Sequence, residues 1–327
     1  MTKKKLTEKE QLEERREKVL AKGRKFKYPL QYAKHKLVFN TIIITLFAIV
    51  LVVVAGWLML YKTQTTSEVL YRATQVLPVS VANVDGKEVK YSDYLMIYRS
   101  SLQTVEQQSG KLGDDEDANA VRNEYKRASL DNAEEYTYAM KLAEERGITV
   151  SDEEIAEEFN KHLNMGGVER SEESFLKILH DNFGMTKNEY ERMLKMSLLK
   201  YKVMVEIDEN AEKIDKKVQK LLQEKGGDMA AVAEELGEAV QYEETGGLVD
   251  NKNIDGGRAT TAQTLKPGEI SERFISTSGD GYYYIKLISK TDTQVNYASI
   301  KVPFAKFDED MKNLRDNGGV REYITIE

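Results

Sequence analysis

Thr41 to Leu60 reads TIIITLFAIVLVVVAGWLML, twenty residues without a charge. As a helix rising about 1.5 Å per residue, this run spans roughly 30 Å, the thickness of a bilayer core. A cleaved export signal has a shorter apolar core followed by a small-residue cleavage site. This run is longer and ends in bulky residues, so a retained signal anchor is expected over 38–61. Trp57 and Tyr61 fall where an outer aromatic belt sits, and Tyr32 falls on the inner side. A soluble helix apolar all round and buried in a core is the alternative.

Charge sets the expected orientation. Residues 1–37 carry 13 Lys and Arg against 5 Asp and Glu, a net of +8, which leaves −15 for the rest of a chain whose total is −7. Basic residues ahead of a span keep that side in the cytoplasm. The expected location is therefore the cell membrane, in a single pass, with the C-terminal part extracytoplasmic. The basic stretch KGRKFKYPLQYAKHK suits anionic headgroups, so membrane lipids are an expected partner through residues 22–61. That role accounts for the basic tail, and no nucleic-acid partner is expected.

Cysteine is absent, which excludes disulfides, thiol nucleophiles and zinc–thiolate sites. The three histidines are His35, His162 and His180. His162 and His180 fall on amphipathic helices without ligand partners at metal spacing and read as solvated side chains. Asn251, Asn253, Asp255 and Gly256 match the start of a calcium loop, but its twelfth position is Ala262 where a glutamate is required, so an ordinary turn is expected. GDDED, Gly113–Asp117, reads as a solvated acidic loop. There is no phosphate loop, dinucleotide fingerprint or Ser-His-Asp set. No metal and no cofactor are expected.

Along the chain, Thr7 and Glu10 form a capping-box pattern for a charged helix that Gly23 can end. Residues 62–75 read as a polar stalk. Asp85-Gly86 between alternating apolar residues predicts a hairpin, because both central positions need positive φ. Ser92 then opens a helix with Leu95, Tyr98, Leu102 and Val105 on one stripe. A long helix is predicted over about 118–146, ended by Gly147. Ser151 with Glu154, Ser171 and Thr186 open three more helices, the last with Tyr190, Met193, Leu194, Leu198 and Tyr201 on one face. From about Asn210 the pattern changes to two helices, the second capped by Asp228, and then short strands with glycine turns. The predicted fold class is α+β with one transmembrane helix, a mainly helical module preceding a small α+β module.

The segments VANVDGKEVKYSDY, ERGITVSDEEIAEEF and NFGMTKNEYERML resemble the chaperone module of the extracytoplasmic foldases related to SurA and PrsA. GGDMAAVAEEL, TGG, LKPGEIS and GYYYIKL are similar, in order, to landmarks of the parvulin prolyl-isomerase domain. The resemblance implies a SurA N-terminal-like chaperone module over 76–206 and a degenerate parvulin-like module over 207–327, following a cytoplasmic tail over 1–37. It implies a membrane-anchored chaperone-foldase with unfolded exported polypeptides as partners and little or no isomerase activity. X-Pro bonds isomerise unaided over tens of seconds, so folding outside the cytoplasm can wait on them. Two other readings stay open: an active parvulin-type isomerase with a histidine-free site, and an envelope scaffold or adaptor.

Active parvulins carry two histidines on neighbouring strands beneath the proline pocket. Beyond His180 this chain has none. In GYYYIKL the corresponding position is Tyr283. The family's first strand is missing ahead of Asn210, while a similar segment, YASIKVP, follows the Tyr283 strand. In a permuted sheet Ser299 would take the other histidine position. The family's pocket phenylalanine has no counterpart in NKNIDGGRATTAQT. Tyr283 and Ser299 are thus candidate catalytic positions by resemblance only. Strand alternation puts Tyr283 on one face with Ile285 and Leu287, and Tyr282 with Tyr284 on the other. Tyr282 and Tyr284 are candidate client-stacking residues, with packing as the plainer role for all three. In the helical module the candidate client contacts are Tyr98, Tyr190 and Met193.

Overall fold

The structure, a computed structural model, describes residues 7–164, 170–253, 255–276 and 279–326. The side chains of 23–35, which include His35 and much of the expected lipid-binding stretch, lie outside the described residues, as does Ile254 in the calcium-like loop. By its internal contacts the chain divides into Met1–Thr65 and Thr66–Glu327.

The first unit is one helix, α1 (Glu8–Tyr61). Its start is the expected capping box, with the Thr7 N–H donating to Glu10 at 2.9 Å. Gly23 does not end it. A mid-helix glycine costs only about 1 kcal/mol, and the neighbours Ala21, Lys22, Arg24 and Lys25 are good helix formers. Within α1, Lys36–Tyr61 contains an 18-residue stretch of mean hydropathy 2.9 and is, among the described residues, the one helical segment long and apolar enough to cross a membrane.

The second unit opens with α2 (Glu68–Val76), a hairpin of β1 (Ser80–Val84) and β2 (Lys87–Lys90), and five helices. These are α3 (Tyr91–Ser109), α4 (Glu116–Arg146), α5 (Asp152–Leu163), α6 (Glu172–Phe183) and α7 (Lys187–Ile207). The hairpin turn has φ of 48° at Asp85 and 86° at Gly86, as an Asp-Gly two-residue loop requires. Ser151, Ser171 and Thr186 each accept a backbone N–H at the start of their helix. Gly147 and Gly184 end α4 and α6 in the left-handed conformation. Asp115, inside the acidic loop, caps α4 by accepting from the Ala118 N–H at 2.8 Å.

Two local expectations are corrected here. The segment expected as a stalk contains α2, whose Tyr71 and Thr74 are buried. The Tyr71 hydroxyl donates to Glu189 at 2.5 Å, and the Arg99 guanidinium lies 4.9 Å from its ring centroid. The α3 helix begins at Tyr91, one residue before Ser92, with no side-chain cap. Tyr91 is fully buried edge-on to Tyr94, so packing sets that helix start.

The remaining elements are α8 (Glu209–Glu224), α9 (Met229–Leu236), β3 (Gln241–Glu244), β4 (Val249–Asp250), α10 (Arg258–Thr264), β5 (Phe274–Ile275), β6 (Gly281–Lys290), β7 (Gln294–Pro303), α11 (Lys306–Asp316) and β8 (Val320–Glu322). The sheet order is β3-β7-β6-β5, with β4 also pairing β7. One face packs Tyr282, Tyr284, Ile300 and Val302 with Val218 of α8 and Met229 and Val232 of α9. The other packs Ile285, Leu287 and Tyr297 with Ala259 and Ala262 of α10. Gly281 lets the chain enter β6, since a Cβ there would stand 2.4 Å from the Val302 carbonyl oxygen.

The chain's end does not complete this sheet. Phe307 of α11 is fully buried with its ring 5.4 Å from that of Tyr138. Strand β8 pairs antiparallel with β1, Asn83 opposite Arg321. The stretch expected as one module over 207–327 therefore sends α11 and β8 back to the helical part. Apolar burial at Phe307 and ladder pairing at β1 fix that return.

Candidate functional site

Strands β6 and β7 run antiparallel with Tyr283 opposite Lys301 and Ile285 opposite Ser299. Glu243 of β3 lies opposite Ser299. Residues paired across a ladder share a face, so Tyr283, Ser299, Lys301 and Glu243 belong to one side of the sheet. Tyr283 and Ser299 are diagonal neighbours on adjacent strands.

Tyr283 is only 5% exposed. Its hydroxyl donates to Asp280 at 3.1 Å, and Lys301 Nζ approaches the same carboxylate at 2.6 Å. The Phe274 ring centroid lies 5.9 Å away, and the Arg258 guanidinium stands 5.7 Å from the tyrosine ring. Arg258 in turn pairs with Glu243 at 3.0 Å. Burial, then the Asp280 charge, raise the Tyr283 pKa well above that of free tyrosine. The phenol is thus neutral, and its single proton is directed at Asp280. Ser299 is buried, with its hydroxyl donating to the Glu243 carbonyl at 3.4 Å.

This face can hold charges in register but offers no imidazole. Asp255, the central oxygen of the calcium-like loop, accepts from the Tyr297 hydroxyl at 2.6 Å and from the Ala259 N–H at 3.1 Å. No group of metal-ligating side chains assembles among the described residues.

Tyr282 and Tyr284 are corrected as client-stacking candidates. They are 3% and 4% exposed, covered by α8 and α9, and the Tyr284 hydroxyl is held by Asp215. Two candidates in the helical module are also core residues. Tyr98 is buried, stacked on Tyr94 with ring centroids 6.1 Å apart. Tyr190 is buried between Phe159 and Phe175, and its hydroxyl lies 2.5 Å from His162 Nδ1. His162 is therefore packed rather than solvated, and burial lowers its pKa. Met193 is partly buried on α7, and His180 is exposed.

A concave surface appears where α2, the hairpin, α3 and α7 meet, a cleft of about 770 Å³. Val76, Leu77, Pro78, Val79 and Met96 supply its apolar lining. Its polar wall is organised by a two-pronged pair, Arg192 Nε and Nη2 to Asp93 at 2.7 and 2.8 Å, and by the Tyr71–Glu189 hydrogen bond. The QVLPV run that supplies the lining precedes the hairpin and reads from sequence as its lead-in. Its one usable signal is Pro78, which withdraws a backbone donor beside exposed apolar residues.

A helical module followed by a small sheet domain of this order defines the chaperone-foldase class with a parvulin-type domain. Residues 184–301 match the family model of the PPIC-type PPIASE domain. Residues 30–204, more than half of the chain, match the SurA-like N-terminal domain, and the chain belongs to that family. No curated protein matches it closely enough to count as a relative.

Proposed function

We propose that the protein is a membrane-anchored chaperone that holds unfolded exported polypeptides outside the cytoplasm, with little or no prolyl isomerase activity. The Lys36–Tyr61 helix serves as the anchor, with the basic N-terminal residues cytoplasmic and resting on lipid. The chaperone module is built from about 76–206 together with the returning α11 and β8, and the parvulin-like domain from about 207–304. Clients enter the cleft beside Leu77 and Met96, where apolar side chains bury against Leu77–Val79 and the half-exposed Arg192, paired with the buried Asp93, lines the wall.

The observation that carries the low-activity reading is the Tyr283 hydrogen bond to Asp280. Rotation about an X-Pro bond needs no covalent chemistry, only a proline-shaped pocket and a donor free to meet the twisting amide. Here the donor at that position is already committed, its ring is covered by Phe274, and Ser299 is buried. The test uses the full chain in lipid nanodiscs. It should suppress aggregation of an unfolded model substrate at near-equal molar ratio and leave the slow X-Pro phase of a refolding substrate unchanged. Clear catalysis of that phase would instead establish a histidine-free isomerase. Absence of both effects would favour an adaptor.

A further inference from the structure

Helix α2 carries two unlike faces. Tyr71 and Thr74 are buried, and Tyr71 is latched by its hydroxyl to Glu189, itself held as the capping-box carboxylate of α7 by Thr186 at 2.7 Å. This latch fixes the roll of the helix. Val69 and Val76, seven residues apart and so nearly in line, are then left 79% and 85% exposed. Ala73 falls between them, and Glu68, Arg72 and Gln75 flank the stripe on one side. Two nearly naked valines in line on a short, rigidly seated helix are not needed for the fold, whose contacts lie on the opposite face.

Chain length says what can reach them. α1 ends at Tyr61 and α2 begins at Glu68, so the connection can span at most about 25 Å. On the anchor reading above, α2 is held within that distance of the bilayer surface. We propose that the Val69–Ala73–Val76 stripe lies in the headgroup–acyl boundary of the outer leaflet, so that α2 is an interfacial helix and the cleft it borders opens next to the membrane. A stripe this short binds lipid weakly by itself. The anchor makes its insertion intramolecular, and a tether of this length supplies a millimolar or higher effective concentration, so weak affinity suffices. Glu68 and Arg72 then sit at headgroup level, already paired with each other at 2.7 Å.

The inference rests on the anchor reading, and the experiment separates the two. The chain has no cysteine and one tryptophan, Trp57. Val69→Cys and Val76→Cys, each labelled with an environment-sensitive fluorophore, are placed in full-length protein in phosphatidylcholine–phosphatidylglycerol vesicles with or without shallow spin-labelled lipids. Glu157→Cys, at an exposed site on α5, is the reference. Labels at 69 and 76 should emit blue-shifted and lose at least half their intensity to spin-labelled lipid, while the label at 157 does neither and Trp57 is quenched. Trp57 quenching with labels at 69 and 76 behaving like that at 157 overturns the inference and leaves the anchor standing. Unquenched Trp57 overturns both. A blue shift that needs added apolar peptide makes the stripe a client surface. One that disappears when the protein is diluted with excess lipid makes it a contact between copies.

Discussion

The Tyr284 hydroxyl donates to Asp215 across 2.6 Å, and that carboxylate, wholly buried, also pairs with Arg273 at 2.9 Å. The middle of the three consecutive tyrosines faces one side of the sheet and its two neighbours face the other, and each finds a different cover. Tyr282 packs edge-on to Phe304 with centroids 4.8 Å apart and carries Arg273 at 4.4 Å from its ring. Arg273 thus bridges two of the tyrosines and the α8 carboxylate. Tyr284→Phe leaves one buried acceptor oxygen without its donor and should cost about 1–3 kcal/mol. Asp215→Ala removes the partner of the buried phenol, leaves Arg273 only its pairing with Glu212 at 3.1 Å, and should cost more, about 3 kcal/mol. Thermal unfolding of the protein in nanodiscs should rank wild type above Tyr284→Phe above Asp215→Ala. A Tyr284→Phe variant as stable as wild type would remove the bond from the stabilising set.

A second network ties the returning C-terminus to the helical module and carries a pH dependence. Glu134 is fully buried, with Arg315 at 3.1 Å and Arg127 at 3.9 Å. Asp131 and Glu322 share those arginines. Burial outweighs the arginines and pushes the Glu134 pKa up to about 7 from an ordinary 4.5. Between those values the folded chain keeps a proton that the unfolded chain has released. The contribution of this group to stability is therefore greatest below about pH 4.5, declines as pH rises, and is lowest above about pH 7. Glu134→Gln should raise the melting temperature at pH 8 by about 2–4 °C and have little effect at pH 5. Equal shifts at both pH values would show that packing, not charge, separates the variants.

The local signals in the sequence were legible because they are satisfied within a few residues. Ser151 with Glu154, Thr186 with Glu189 and Asp85 with Gly86 each close a turn or cap on their own. The same alternation that separated Tyr283 from Tyr282 and Tyr284 told direction but not coverage. A sheet with α8 and α9 on one side and α10 on the other leaves no solvent face for a stacking tyrosine. Pairing of β1 with β8 joins residues more than two hundred positions apart, which no window of sequence can register. The cleft was missed for a related reason. Its lining is a short apolar lead-in whose walls, Arg192 and Asp93, come from helices 99 residues apart.

Installing one histidine should not restore isomerase chemistry. In Tyr283→His the imidazole would inherit Asp280 and Lys301 as neighbours, while Ser299 stays on the adjacent strand and Phe274 stays over the ring. An imidazole next to that carboxylate would act as a donor to it, as the phenol does now. The slow X-Pro phase of a refolding substrate should be the same, within a factor of about two, with wild type, Tyr283→His or no protein, where a tenfold change is about 1.4 kcal/mol in the barrier. Acceleration by the wild type that Tyr283→Phe abolishes would make the tyrosine a working donor.

Topology has a direct readout. Residues 1–37 are basic by a net +8 and the rest of the chain is acidic by −15. Protease added to intact cells should remove the part after Tyr61 and spare an N-terminal tag. Protection of the C-terminal part would reverse the orientation and remove exported chains as clients.

The cleft can be tested without disturbing the core. Leu77 is 57% exposed at the end of α2, and it lines the cleft together with Met96 of α3, which is nearly buried. A charge at Leu77 stays hydrated in the empty protein, so Leu77→Asp should change stability by no more than about 0.5 kcal/mol. In a complex the same carboxylate would have to face an apolar client side chain. That loses the burial of leucine, about 1.5–3 kcal/mol if complete and less for a side chain left half-open, and adds desolvation of a charge. Affinity for an extended apolar peptide, read by anisotropy with the protein in nanodiscs, should fall about tenfold while the melting temperature holds. Leu77→Met, similar in volume and apolar, should bind as wild type does. If Leu77→Asp binds the peptide unchanged, clients use another surface, and Met193, partly buried on α7, becomes the next position to vary.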